Sequence, residues 1–314
     1  MKISVVIPVY QGGRSVGRLV DELVRNLHGR EGLEIVLVND GSTDNSHEEC
    51  LAAFRKHAAI VKYTRLAKNF GEHNAVLAGL NEASGDYAVI IDDDFQNPPE
   101  EIKKMVDKAV DGGYDVVYSY YDKKYHSAFR NIGSSFNDII ACFLLNKPRD
   151  LYLSSFKCLN RFTVNEIIKY KGPYPYIDGL VLRTTRNIGK VLVKHEKRRE
   201  GRSGYTIRKL VRLWLNMFVN FSIYPLRVST FIGFIFFLFG AVLSIQAVIE
   251  RLINPSVPMG ITSIFVAILM FSGLQMLMLG VIGEYLGKQF MAGNQTPQYV
   301  IRDTYAAKKE EGGR

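Results

Sequence analysis

Ile90-Ile91-Asp92-Asp93-Asp94-Phe95-Gln96-Asn97-Pro98-Pro99 is the stretch on which the reading of this chain turns. An apolar run, Tyr87 to Ile91, ends abruptly in three carboxylates, then an aromatic ring, two amides and a double proline. This is the pattern of a buried strand that delivers acid groups into a crevice at its carboxyl end. On an extended backbone Asp92 and Asp94 point the same way, and two carboxylates so placed can face one divalent cation with hard oxygen ligands. Such a cation suits a diphosphate. Taken alone, Asp-x-Asp also reads as an ordinary acidic turn, and the flanking sequence decides between the two.

Before this stretch the chain repeats a strand, a turn and a helix. Ser4 to Val9 is a β-branched run, and Val16 to Leu27 carries apolar residues at helical spacing. Glu34 to Val38 is a second strand, ending in Asn39-Asp40-Gly41-Ser42-Thr43-Asp44. A helix to about Lys56, a strand near Ile60 to Tyr63 and a helix over Asn74 to Glu82 then lead to the strand that ends at Asp92. The alternation predicts an α/β, Rossmann-like, mostly parallel sheet with ligands beyond the carboxyl ends of its strands, where Tyr10, Asp40 and Asp92 lie. Gly12, Gly13 and Gly17 lack the G-x-G-x-x-G spacing, which argues against a dinucleotide cofactor. Asp40 has two readings: it caps the helix that follows, or it accepts hydrogen bonds from a base or ribose while Ser42 or Thr43 caps.

Downstream, helices are expected over Ile102 to Val110, Phe129 to Leu145 and Thr163 to Tyr170, and strands over Asp115 to Tyr118, around Ser154 to Lys157 and over Val191 to His195. The Tyr- and Lys-rich segment Tyr118 to Tyr125 is a candidate mobile loop near the site. Arg130 and Ser134 share one face of their helix. A basic stretch, Lys197 to Tyr205, follows the last of these strands.

The 314 residues carry a net charge of +9, enough to attract nucleic acid or an anionic membrane. No stretch resembles a nucleic-acid module, and the basic residues gather before a strongly apolar region, so a membrane is the expected partner. Three cysteines, Cys50, Cys142 and Cys158, have no metal-ligand spacing and read as free thiols in a reducing compartment. The first ten residues read as a strand and not a signal peptide, which keeps the N-terminal part in the cytoplasm. The expected organisation is a catalytic domain over 1–205, an amphipathic interfacial helix over 206–227, two transmembrane helices within 228–290 and a tail over 291–314. Arg208, Arg212, Asn216 and Asn220 form one polar stripe on the interfacial segment. Val228 to Ile249 and Ile261 to Gly283 carry no charge and are long enough to span a bilayer. Basic residues flank the pair, and only Arg251 lies between the spans, which places both chain ends in the cytoplasm and the protein in the inner (plasma) membrane. Gln298 to Arg302 reads as a strand able to pair with a neighbouring subunit, so a homo-oligomer is expected.

Four motifs in order resemble a known family: Ser4-Val5-Val6-Ile7-Pro8-Val9-Tyr10, Val38 to Asp44, Asn69-Phe70-Gly71, and Asp92 to Glu100. Together they resemble a family 2 glycosyltransferase with a GT-A fold. His195 through Tyr205 and the paired spans are similar to its polyprenyl-phosphate branch, which contains dolichol-phosphate mannose synthase and the undecaprenyl-phosphate glucosyl- and aminoarabinosyltransferases of bacteria. The resemblance implies transfer of one sugar from a nucleotide-sugar, expected to be a UDP-sugar, to undecaprenyl (polyprenyl) phosphate. It implies that Pro8, Tyr10, Asp40 and Asp92 hold the nucleotide. Asp92, Asp94 and Gln96 then surround Mg2+ or Mn2+. Arg130, Ser134, Arg198, Ser203 and Lys157 contact the acceptor phosphate, and Asp92, Asp94 and Arg198 carry catalysis. Departures are Ser155 where many relatives carry a carboxylate, Lys157 for an arginine, Tyr121 where another acceptor arginine is expected, and Gly204 for a lysine. The alternatives are a different lipid acceptor such as a diacylglycerol, which would require a carboxylate base, and a membrane-anchored nucleotide-binding scaffold without turnover.

Overall fold

The computed structural model describes residues 1–27, 32–121, 147–148, 150–172, 174–196, 224–253, 260–294 and 296–307. The expected helix over Phe129 to Leu145, the second half of the Tyr118 to Tyr125 loop, the basic stretch and nearly all of the interfacial segment lie outside them, as do Arg130, Ser134, Arg198 and Ser203. The chain divides into two units: Met1–Lys209 with Gln295–Arg314, and Leu210–Asn294.

The first unit is built on one sheet. β1 (Ile3–Val9) and β2 (Leu33–Asn39) are buried along nearly their whole length, as strands covered on both faces must be. With β3 (Val61–Leu66) and β4 (Tyr87–Ile90) they form a parallel core in the order β4-β1-β2-β3. α1 (Val16–Asn26), α2 (Ser46–Lys56) and α3 (Glu72–Glu82) make the crossovers. Beyond β4 lie β6 (Lys157–Asn160), antiparallel to both neighbours, then β5 (Val116–Tyr120) and β7 (Ile188–Leu192), which pair parallel. The mostly parallel sheet expected from the alternation is therefore a mixed one. α4 (Glu101–Asp111), α5 (Arg161–Ile167) and α6 (Ile177–Thr184) complete the unit.

The chain leaves β1 toward β2 and β3, then returns to place β4 on the other side of β1. The carboxyl ends of β1 and β4 are thus the switch point at which such sheets bind ligands. Ile91 extends the ladder past β4 by donating to the Val6 carbonyl at 3.1 Å, so Asp92 is the first residue to leave the sheet.

The last strand corrects the sequence reading. β8 (Ile301–Tyr305) pairs antiparallel with β3 of its own chain, and Tyr305 stacks on Tyr63 with ring centroids 5.5 Å apart. The strand expected to dock on a neighbouring subunit instead covers an edge of the chain's own sheet, and residues assigned to a tail complete the first unit. A second correction is that β7 begins at Ile188 and ends at Leu192, short of His195.

The second unit contains α7 (Tyr224–Ile253) and α8 (Ile261–Gly293), continuous over 30 and 33 residues. Gly233 faces Met278, while Gly240 and Phe236 face Phe271, so the two helices run past each other in opposite directions. Among the described residues, no helix is long and apolar enough to cross a membrane.

Candidate active site

β4 delivers three acids, and backbone geometry separates them. A Cβ on Gly12 would lie 1.8 Å from Asp93 Oδ2, so the middle acid occupies the turn after β1, and only a glycine permits that approach. Asp92 and Asp94 make different contacts and lie close enough for the Asp94 charge to act on Asp92. Asp92 Oδ2 accepts from the Ser155 hydroxyl at 2.5 Å, and Asp94 Oδ1 accepts from the Gln96 backbone N–H at 3.1 Å. Phe95 turns the chain between Asp94 and Gln96 in the left-handed region at φ 59°, an unfavourable conformation for a non-glycine residue. Its ring is buried, with the Arg18 guanidinium 5.6 Å from the centroid.

Burial, with the charges of Glu72 and Asp94 nearby, pushes the Asp92 carboxyl up to about 7 against the opposing pull of Ser155 and Lys157. Among the described residues, no group of three or more His, Cys, Asp or Glu side chains could hold a metal ion. The donor set is smaller. Asp92, Asp94 and the Gln96 amide supply hard oxygens that suit a small divalent cation whose remaining ligands are diphosphate oxygens and water. A cation there would also favour the ionised form of an acid that its surroundings keep partly protonated.

At the end of β2, Asp40 has a role beyond its two sequence readings. Its carboxylate is 2% exposed and accepts from the backbone N–H groups of Phe70 (2.7 Å) and Gly71 (2.9 Å). It thus holds the Asn69-Phe70-Gly71 turn against the end of β2. Burial raises the carboxyl above its ordinary range although both N–H groups pull it down. Neither Ser42 nor Thr43 caps α2: Ser42 Oγ accepts from the Gln11 N–H, and Thr43 Oγ1 from the Gln11 side chain. The N-cap residue is Asn45, which makes no side-chain capping bond, and Asp44 just before it accepts from the Ser46 N–H and hydroxyl and from the Gly13 N–H. Pro8 lies within β1, and Tyr10, 51% exposed, stands just past its end, so Pro8, Tyr10, Asp40 and Asp92 share one edge of the sheet.

Lys157 is placed differently from the other acceptor candidates. It is 3% exposed, paired with Asp178 and 5.2 Å from the centre of the Tyr118 ring, while the Tyr118 hydroxyl donates to the same Asp178 oxygen at 2.8 Å. His73 packs edge-on against Tyr176 at 5.0 Å, and burial, with Lys157 reinforcing it, holds the imidazole down at about 4, so it is neutral at pH 7.

The sequence also left unread a network behind the acid loop. Tyr121, at the place of an expected arginine, donates to Asn97 Oδ1 at 2.8 Å, lies 2.9 Å from Ser154 Oγ and packs on the His195 ring at 4.2 Å. Its only sequence signal was the departure from the family pattern.

A mixed α/β sheet whose β1/β4 switch point presents an Asp-x-Asp pair beside a glycine turn defines a GT-A-type domain. Residues 4–165 match the family model described as Glycosyl transferase family 2. The chain is 31% identical over 313 residues to the undecaprenyl-phosphate 4-deoxy-4-formamido-L-arabinose transferase of Yersinia enterocolitica serotype O:8 / biotype 1B, covering 99% of this chain and 95% of that protein. It is 30% identical over 311 residues to the protein of the same name from Proteus mirabilis (strain HI4320), covering 98% and 95%. Among solved structures, glucosyl-3-phosphoglycerate synthase from Mycobacterium tuberculosis with Mn2+, UDP and phosphoglyceric acid superposes with a TM-score of 0.51 at 18% identity, over 69% of this chain and 78% of that one. This second likeness is one of fold. The chain belongs to glycosyl transferase family 2 and is a glycosyltransferase.

Proposed function

We propose that this protein moves a single sugar from a nucleotide-sugar, a UDP-sugar, to undecaprenyl phosphate at the membrane surface, with inversion at the anomeric carbon. The observation that carries the reading is the pair Asp92 and Asp94 at the switch point, in a chain similar along its whole length to proteins named for transfer to undecaprenyl phosphate. Asp92, Asp94 and Gln96 hold Mg2+ or Mn2+, as the Mn2+ and UDP in the structural neighbour support. When bound, the ion offsets the charge that develops on the departing diphosphate.

An acceptor phosphate oxygen attacks the anomeric carbon. The bond from that carbon to the donor phosphate oxygen breaks, and its electron pair leaves with the nucleoside diphosphate. A phosphate monoester has a second pKa of about 6 and is largely ionised at neutral pH, so no proton has to be removed from the attacking oxygen. Ser155 fits this account, since it donates to Asp92 where a base would otherwise stand. A diacylglycerol hydroxyl would need that base. Tyr10 and Pro8 border the nucleotide, Asp40 acts on it through the Phe70–Gly71 turn, and Arg130, Ser134, Arg198 and Ser203 are assigned to the acceptor phosphate. Lys157 is the least direct of the acceptor residues, since its charge is already shared with Asp178.

No described helix is long and apolar enough to cross a membrane, so the membrane part of this reading rests on the sequence: residues 206–227 form the interfacial segment and 228–290 the membrane part, with the catalytic domain and both chain ends in the cytoplasm. Support comes from the uncharged runs Val228 to Ile249 and Ile261 to Gly283, and from outward-facing Phe231, Phe234, Phe239, Val242, Met276 and Leu277. So broad an apolar surface suits lipid and not water. Self-association would need a surface other than β8, which is used within the chain.

Incubating the purified full-length protein and undecaprenyl phosphate with a panel of nucleotide sugars, with and without chelator, is expected to yield one glycosylated lipid phosphate by mass, and only with the divalent ion. Transfer that persists in chelator, or glycosylation of diacylglycerol alone, overturns the reading.

A further inference from the structure

We infer that His195 is a positioning residue for the divalent cation of the donor, acting through Gln96. The inference rests on the metal reading above. Gln96 is held at three points. Its backbone N–H donates to Asp94 Oδ1 at 3.1 Å, its carbonyl accepts from the Glu196 N–H at 2.9 Å, and its side-chain Nε2 lies 3.4 Å from His195 Nε2. Two of the three come from the segment after β7. That segment is anchored in turn, because Val193 donates to the Tyr120 carbonyl at 3.1 Å and the His195 ring packs 4.2 Å from that of Tyr121. The Tyr121 hydroxyl donates to Asn97, the residue after Gln96.

The chemistry of an amide makes the His195 contact directional. Its nitrogen only donates and its oxygen only accepts, and a hard cation takes the oxygen. An imidazole nitrogen that accepts from Nε2 fixes the nitrogen end of Gln96, and so fixes which end the side chain presents on its other side. Groups that orient a metal ligand in this way typically change metal affinity by about 10–100-fold when removed.

The test compares His195→Leu, which keeps an apolar side chain against Tyr121 but offers no acceptor, with His195→Gln, which restores one. Full-length protein in detergent is titrated with Mn2+ in the presence of UDP, and free Mn2+ is read by electron paramagnetic resonance. The KM for undecaprenyl phosphate and the melting temperature are measured on the same samples. H195L is expected to bind Mn2+ about 10–100-fold more weakly with the acceptor KM unchanged, and H195Q to recover most of the affinity. In the metal-free protein, amide exchange at Gln96 and Glu196 is expected to quicken in H195L while that of β4 does not. Wild-type affinity in H195L, or equal losses in H195L and H195Q, overturns the inference alone. Failure of the wild-type protein to bind Mn2+ in the presence of UDP overturns the metal reading and this inference with it.

Discussion

Asp92 shows how much a site residue can work against its own fold. With its carboxyl pushed up to about 7 from an ordinary 3.8, the folded state binds more protons than the unfolded one between those values. Stability contributed by this group is therefore full below about pH 4 and lost as pH rises toward 7. Asp92→Asn is expected to stabilise the metal-free protein by roughly 1–3 kcal/mol at pH 8 in chemical denaturation, while transfer disappears. Asp94→Asn is expected to cut transfer by at least about 10²-fold with the melting temperature nearly unchanged, whereas a mere anchoring protein would tolerate it. Both acids were open to proposal from the sequence, because an apolar run that ends in Asp-x-Asp singles them out without reference to any other part of the chain, although β4 ends at Ile90 and a turn carries them. The Lys157–Asp178 pair was not, since its acid arrives on a helix whose sequence, Ile177-Asp178-Gly179-Leu180-Val181-Leu182, is buried nearly throughout and shows no helical stripe.

Among the elements, the turn between β2 and α2 bears most directly on the nucleotide edge. Gly41 has φ 63°, and a Cβ there would lie 2.3 Å from the Lys68 carbonyl carbon, in the segment that leads to the Phe70 and Gly71 amides held by Asp40. Gly41→Ala combines a left-handed backbone with a clash against main chain. It is expected to cost about 2 kcal/mol or more in denaturant unfolding and to raise the KM for donor more than that for acceptor. Strands and helices up to β4 were readable to within a few residues because each carries its own apolar period and its own turn. Later elements were harder to read: β7 is half-exposed and short, and α6 lacks a polar face. The partner of β8 is set by which sheet edge is open, a property that no local pattern records.

For the molecule as a whole, the end of the sheet opposite the site fixes what the site can be. There the buried Glu34 carboxylate accepts from Ser4 Oγ, from the Ser84 N–H and hydroxyl, and from the ammonium groups of Lys2 and Lys62, tying β1, β2 and β3 to the turn before β4. A one-residue slip of β4 would turn Asp92 and Asp94 away from the crevice, and this knot resists it. Burial alone would raise the Glu34 carboxyl, but the bonds from Lys62, Ser4 and Ser84 outweigh it and hold the group at about 2. Its contribution is therefore full above about pH 4.5 and is lost as pH falls toward 2. Urea unfolding is expected to show Glu34→Gln less stable than wild type by roughly 2–4 kcal/mol at pH 7, with the difference shrinking below pH 4. The pairing of β8 with β3 has a further consequence, one of timing. The ribosome completes Leu66 long before Ile301 emerges, and at roughly 5–20 residues per second the outer edge of β3 waits on the order of 10–50 s for its partner. Throughout that interval the nascent chain carries an open strand edge while its most apolar residues are still being made, a window in which chaperones have to guard it.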